Sequence, residues 1–222
     1  MRIIKKKNEK SLIREFLQIF KREIDKKKKS KSRLSFVLTG GSSPINLYKK
    51  LAKSNFDWSN IDLFWGDERF VSNKSKNSNF RMANDLLIKK VKIKKRNLFY
   101  INTNRKDINR SSLEYQNKIK NYFKNKKIRF DICLLGMGND GHVASIFPNT
   151  NLLKKKFIVN PVNSKDFKRI TIGMEIINNS KKIFLWLGKK SKTSIFKKLQ
   201  TKGKKIPVNN LNKKKLYCFS IN

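Results

Sequence analysis

The sequence predicts an α/β fold, a doubly wound, mostly parallel sheet with helices on both faces, and two observations predict it. Seven apolar, β-branched or aromatic runs recur along the chain, most of them continuously apolar, as strands buried on both faces are. The gaps between them carry helical periodicity and are long enough for crossover helices. With 222 residues, 38% of them apolar, sixteen Phe and three Trp, the chain has enough material for one full core. One α/β domain over 1–222 is therefore expected.

The elements follow in order. Residues 8–26 place Leu12, Ile13, Phe16, Phe20 and Ile24 at helical spacing, and a first strand runs over 34–39. A helix over 45–53 begins just after Pro44, which suits a first turn. The strand over 61–65 is followed by a helix over 79–91 that Ser78 and Asn79 cap. A strand over 98–101, a helix over 113–122 and a strand over 130–135 come next. Strands over 169–174 and 182–187, a helix over 192–199 and a last strand over 216–220 complete the sheet. Aromatic residues within these elements read as core packing.

The formal charge is +40, from 55 Lys+Arg against 15 Asp+Glu. The lysines are spread from end to end, and no zinc-finger spacing, RRM signature or basic zipper accompanies them. Lys, Asn, Ile and Phe all have codons made only of A and T, so the charge reads as an AT-rich coding bias, and no specific nucleic-acid partner is expected. Anionic small molecules are nonetheless drawn toward any cleft, more weakly as salt rises. No stretch has signal-peptide or membrane-span character, so a cytoplasmic protein without a membrane partner is expected. Cys133 and Cys218 sit in apolar, strand-like runs, which fits reduced thiols and no metal site.

In such sheets ligands bind beyond the carboxyl ends of the strands, which directs attention to the turns there. After the first strand, Gly40 and Gly41 permit close backbone approach, while Ser42 and Ser43 offer hydroxyls at a helix start that favours an anion. This turn lacks the Gly-Lys-Ser/Thr of a Walker loop and the G-x-G-x-x-G of a dinucleotide site. After the second strand, Asp67, Glu68 and Arg69 follow Gly66, two acids in succession against a basic background. The fourth turn holds Gly136, Gly138 and Gly141 with Asp140 and the chain's single histidine, His142. A neutral imidazole there can take a proton from water, and the surrounding positive charge disfavours the imidazolium. Further along, Arg169 opens a strand, and Lys192 follows Gly188 near the start of a helix.

These stretches together resemble a known family. LTGGSSP, WGDERFV with SNFRMA, LLGMGNDGHVASIFP, and RITIGMEIIN with LGKKSKTSIF occur in the order and spacing of the 6-phosphogluconolactonases, and the resemblance covers essentially the whole chain. Related glucosamine-6-phosphate deaminases share the fold, but follow the histidine with Ile-Ala-Phe-Asn-Glu-Pro. Here Val143 to Pro148 contains no acid, which argues for lactone hydrolysis over deamination. The resemblance implies cofactor-free, metal-free hydrolysis of a sugar-phosphate lactone, 6-phospho-D-glucono-1,5-lactone. It implies His142 as general base with Asp140 orienting it, and Gly41, Ser42, Arg169 and Lys192 around the phosphate. Arg69 is a further candidate for phosphate or carboxylate, Asp67 for positioning hydroxyls, and Lys190 is an alternative to Lys192. The rival readings are a deaminase-type sugar-phosphate isomerase and a basic nucleic-acid-binding module.

Overall fold

The structure is a computed structural model and describes residues 1–222. Its elements are β1 (Arg2–Lys6), α1 (Glu9–Lys29), β2 (Leu34–Leu38), α2 (Ile45–Ala52), β3 (Ile61–Trp65), β4 (Asp67–Arg69), α3 (Asn79–Leu86) and β5 (Leu98–Phe99). They continue with α4 (Ile108–Tyr122), β6 (Ile132–Leu135), β7 (Val159–Asn163), β8 (Lys168–Ile172), α5 (Met174–Asn179), β9 (Lys182–Leu187), α6 (Lys190–Gln200) and β10 (Leu216–Ile221). Seven strands form one sheet in the order β1-β10-β9-β6-β2-β3-β5, and every neighbouring pair is parallel. The α/β architecture is the expected one. No helix is long and apolar enough to cross a membrane.

Local chemistry sets the helix ends. The Asn8 side chain accepts from the Ser11 amide at 2.9 Å, Glu9 sits in the first turn of α1 and four lysines in its last, all complementing the helix dipole. Asp107 accepts from the amides of Asn109 and Arg110, so α4 begins a turn earlier than its apolar pattern announces. The buried stripe of α1 carries Phe16 and Phe20, whose rings pack on Phe184, Trp186 and Phe219 of the sheet and on Phe36. Burying each such side chain contributes about 2 to 3 kcal/mol, so truncating Phe16, which is wholly buried, costs about 3 to 5 kcal/mol. At the amino end of the sheet, Asp131 accepts from the amide and hydroxyl of Ser35 and pairs with Lys27 and Lys181, tying α1, β2 and the entry to β6 together.

One expected strand lies elsewhere. Residues 168–172 do not join the parallel sheet; they form the middle of a second, antiparallel sheet in the order β4-β8-β7. The physical reason is the company this strand keeps. β4 leaves the end of β3 through Gly66, whose carbonyl accepts from the amide of Ile172 at 2.9 Å, so β8 caps the carboxyl end of the large sheet. A parallel strand starting at Arg169 would have put that side chain at the opposite end from the glycine turns.

Candidate active site

At the carboxyl ends of β2, β3 and β6 a cleft of about 210 Å³ opens against the small sheet. Its lining includes Gly41, Ser42, Asp67, Arg69, His142, Arg169 and Lys192, so seven residues named from the sequence come together in one place. Asp140 borders the adjoining depression and reaches the cleft through its bond to His142.

The loop after β6 is shaped around that histidine. His142 Nδ1 lies 2.7 Å from Asp140 Oδ1, and the same oxygen accepts from the His142 backbone amide at 3.1 Å. An ionised carboxylate only accepts, so the ring proton belongs on Nδ1, and Nε2 carries the free lone pair with no partner in the fold. Burial pushes the Asp140 pKa up, but the hydrogen bonds from His142 outweigh it and hold the carboxyl below its ordinary range. Gly138 is required here because a Cβ at that position would collide with the His142 imidazole. The ring also rests against Phe147, with centroids 4.7 Å apart.

The small sheet contributes the charged wall. In the β4/β8 register Arg69 stands directly opposite Arg169, and Asp67 opposite Thr171. Asp67 and Arg69, two residues apart on one strand, project to the same face. Asp67 Oδ2 accepts from the Ser145 hydroxyl at 2.6 Å and lies 4.0 Å from the Arg169 guanidinium. Ser145 reaches it because Ala144 adopts φ of +50°, which swings the following residue onto the small sheet, where its amide donates to Thr171. Arg169 donates to Ser164 and lies over the rings of Phe147 and Phe167. Burial lowers its pKa, Asp67 raises it and Arg69 lowers it again.

Glu68 faces the other way. It is buried, and its carboxylate accepts from the amides of Asn79 and Phe80 and from the Ser78 hydroxyl, so it seats the start of α3. Burial pushes its pKa up to about 7 despite those bonds. That seating aims Asn79 into the cleft. Its amide nitrogen donates to the Asp67 carbonyl, which fixes the orientation and leaves Oδ1 buried without a donor. The Arg69 Nε is likewise buried and unpartnered. Gly40 allows the close approach, since a Cβ there would overlap the Asn79 side chain.

On the remaining side, the backbone amides of Gly40, Gly41, Ser42 and Ser43 find no acceptor in the fold, and Gly41 takes φ of +81°. Lys192, rather than Lys190, borders the cleft, donating to the Met137 carbonyl at 2.9 Å and to Asn139 Oδ1 at 2.7 Å. Burial pulls its pKa down while Asp140 works against the shift. Free amides, three cations, Asn79 and an oriented imidazole suit a phosphorylated, hydroxyl-rich molecule with an electrophilic centre. Nowhere do three His, Cys, Asp or Glu side chains converge as a metal site needs.

The sequence did not single out Ser145 or Thr171 as site residues, and it took Asn79 only as a cap. A hydroxyl or amide inside an apolar or capping stretch carries no signal of its own; the β4/β8 register sets Thr171 and, through it, Ser145 behind Asp67, while the seating of α3 on Glu68 brings Asn79 into the cleft.

The parallel sheet, the small capping sheet and the histidine turn together define a sugar-phosphate-enzyme architecture. Residues 7–218 match the family described as Glucosamine-6-phosphate isomerases/6-phosphogluconolactonase, and the chain belongs to it. A 6-phosphogluconolactonase of Thermotoga maritima is 34% identical over 160 residues, covering 71% of this chain and 70% of that one. The crystal structure of a Thermotoga maritima 6-phosphogluconolactonase superposes with a TM-score of 0.86 at 27% identity, covering 99% of this chain and 98% of that chain. A monomeric glucosamine-6-phosphate deaminase superposes with a TM-score of 0.83 at 22% identity, covering 100% of this chain and 98% of that one. The fold alone thus hosts both chemistries.

Proposed function

We propose that the chain hydrolyses 6-phospho-D-glucono-1,5-lactone to 6-phospho-D-gluconate, the lactonase step of the oxidative pentose phosphate pathway, with His142 as general base. The observation that carries this reading is the Asp140–His142 pair, a base held in one tautomer at the edge of a cationic cleft. Family membership and the lactonase relatives support the substrate class.

In this reading the phosphate sits against the free amides of the Gly41 and Ser42 turn, with Arg169 and Lys192 supplying charge. Arg69 adds a further donor, and Asp67 and Asn79 meet sugar hydroxyls. His142 Nε2 takes a proton from a water whose oxygen attacks the lactone carbonyl, and loop amides with a nearby cation stabilise the developing oxyanion. The tetrahedral intermediate collapses with cleavage of the bond to the ring oxygen, which takes up the proton from the imidazolium and leaves as the sugar hydroxyl. A lactone hydrolyses slowly unaided, so one oriented base and charge stabilisation suffice.

Two assays test the assignment together. Freshly generated lactone should disappear faster than its spontaneous rate with chelator present, and glucosamine 6-phosphate should release no ammonia. Ammonia release without lactone turnover would overturn the reading in favour of deamination, which the absence of an acid between Val143 and Pro148 disfavours.

A further inference from the structure

Even spacing of lysines along the sequence does not survive folding. In a parallel sheet, every segment that leads into a strand lies at the same, amino end, and five lysine-rich segments do so. They are residues 26–33 before β2, 89–96 before β5, 124–129 before β6, 181–182 at the start of β9 and 213–215 before β10. They hold six, six, four, two and three Lys or Arg residues respectively, and no Asp or Glu. At the active-site end two of the segments that leave the strands, residues 39–44 and 136–150, contain no Lys or Arg at all, and the cations there are those after β3, β5 and β9, among them Arg69 and Lys192 of the cleft.

The strands these segments precede run across the sheet in the order β10-β9-β6-β2-β3-β5, with only the entry to β3 interrupting. At about 4.8 Å per strand this makes a basic belt roughly 24 Å long. Its members are neighbours in space. Lys28, Lys31, Arg33, Lys94 and Arg96 border one depression with Asp57. Lys215 has its pKa lowered by burial and then by the charges of Arg129 and Lys127. The carboxylates close by are already engaged, Asp131 by Lys27 and Lys181, Glu23 by Lys26 and Lys182, and Asp62 by Arg33. Compensation of the helix dipole accounts for the lysines in the last turn of α1, but not for those at 92–96, 124–129 and 213–215, which lie outside α-helices.

We propose that this belt binds the phosphate backbone of nucleic acid without reading its sequence, on the face opposite the cleft. A belt of that length spans about seven phosphates of one duplex strand at about 3.4 Å spacing. A lipid surface fits less well, because of the exposed large apolar residues Met1, Ile3 and Leu113 only Met1, leading into β1 beside β10, adjoins the belt, and it does so at one end.

The test is the salt dependence of binding to a labelled DNA duplex of about 20 base pairs, with affinity expected to fall about a thousandfold or more between 50 and 200 mM salt. A variant with Lys28→Gln, Lys31→Gln, Lys94→Gln and Arg96→Gln should bind at least tenfold more weakly at low salt, with a log–log slope shallower by about four. A control with Lys10→Gln, Lys49→Gln, Lys197→Gln and Lys198→Gln removes the same charge from exposed positions elsewhere and should bind nearly as the parent does. Both variants should keep the parent's cleft activity. Equal losses in the two variants, no binding by the parent at low salt, or tighter binding to anionic vesicles than to the duplex would each overturn the proposal.

Discussion

Arg69 and Arg169 stand directly opposite each other in the antiparallel pairing of β4 with β8. Like charges in opposed positions destabilise a sheet by a few tenths of a kcal/mol to about 1 kcal/mol, and Asp67, 4.0 Å from Arg169, is the main carboxylate that offsets them, with Asp166 and Glu68 adding less. A dianionic phosphate in the cleft relieves that repulsion. Under the proposed function the wall is arranged for that phosphate, at some cost to the empty protein.

Ligand-induced stabilisation follows from this arrangement. The product, 6-phosphogluconate, at about 100 times its Kd should stabilise the fold by about 2.7 kcal/mol, while gluconate at the same concentration should do little. Arg169→Ala should abolish most of the shift and raise KM by tenfold or more, with a smaller effect on kcat. Thermal unfolding with each ligand checks it; equal shifts from both ligands would remove the phosphate from the arginine wall.

Asp140→Asn should act on rate rather than binding. The amide offers a donor where the carboxylate only accepted, so Nδ1 can lose its proton and Nε2 gain one, which disarms the base. A fall in kcat of roughly a hundredfold with KM within threefold is expected. Steady-state kinetics at saturating lactone, corrected for the spontaneous reaction, read this out.

Gly138→Ala separates position from chemistry. The new Cβ collides with the His142 ring, which must move, while the core beneath is untouched. Activity should fall at least tenfold. The unfolding midpoint should shift by only a few degrees, and a large loss of stability would show that the loop does more than hold the base.

Much of this was legible in the sequence, and the misses have physical causes. β2, β3, β6, β9 and β10 announced themselves because they are buried on both faces and so almost wholly apolar, with a single polar residue at most in each, such as Ser35 or Asp62. β1 was missed because Arg2–Lys6 is an edge strand with a single buried residue, Ile4. β7 carries Pro161, tolerated because β7 lies at the edge of the small sheet, yet a proline argues against a strand in any sequence reading. The 168–172 strand looked like the others because it is buried, and periodicity says nothing about which sheet a buried strand joins. The glycine turns and the histidine loop were legible because glycine beside polar residues after an apolar run is rare without a backbone reason. The choice of Lys192 over Lys190 was not, since only the direction of α6 decides it.

Glu68 gives the stability a pH signature. Its folded pKa, pushed up to about 7 from an ordinary 4.5, lies above the unfolded value. Its contribution is therefore fully present below about 4.5 and is lost as pH rises through about 7. Glu68→Gln should unfold more easily overall, because its amide faces the donors of α3, but this part of the pH dependence should vanish. Denaturant unfolding from pH 4.5 to 8 in both proteins compares the slopes; parallel curves would place the ionisation elsewhere.

The most direct measurement is turnover of freshly generated 6-phosphogluconolactone by the parent and by His142→Ala, with the spontaneous rate subtracted and folding of both checked. The account predicts rapid loss with the parent and a kcat lowered at least a hundredfold in the variant, with KM little changed. Equal rates from two folded proteins, or a variant changed only in KM, would contradict the assignment of His142 as the base.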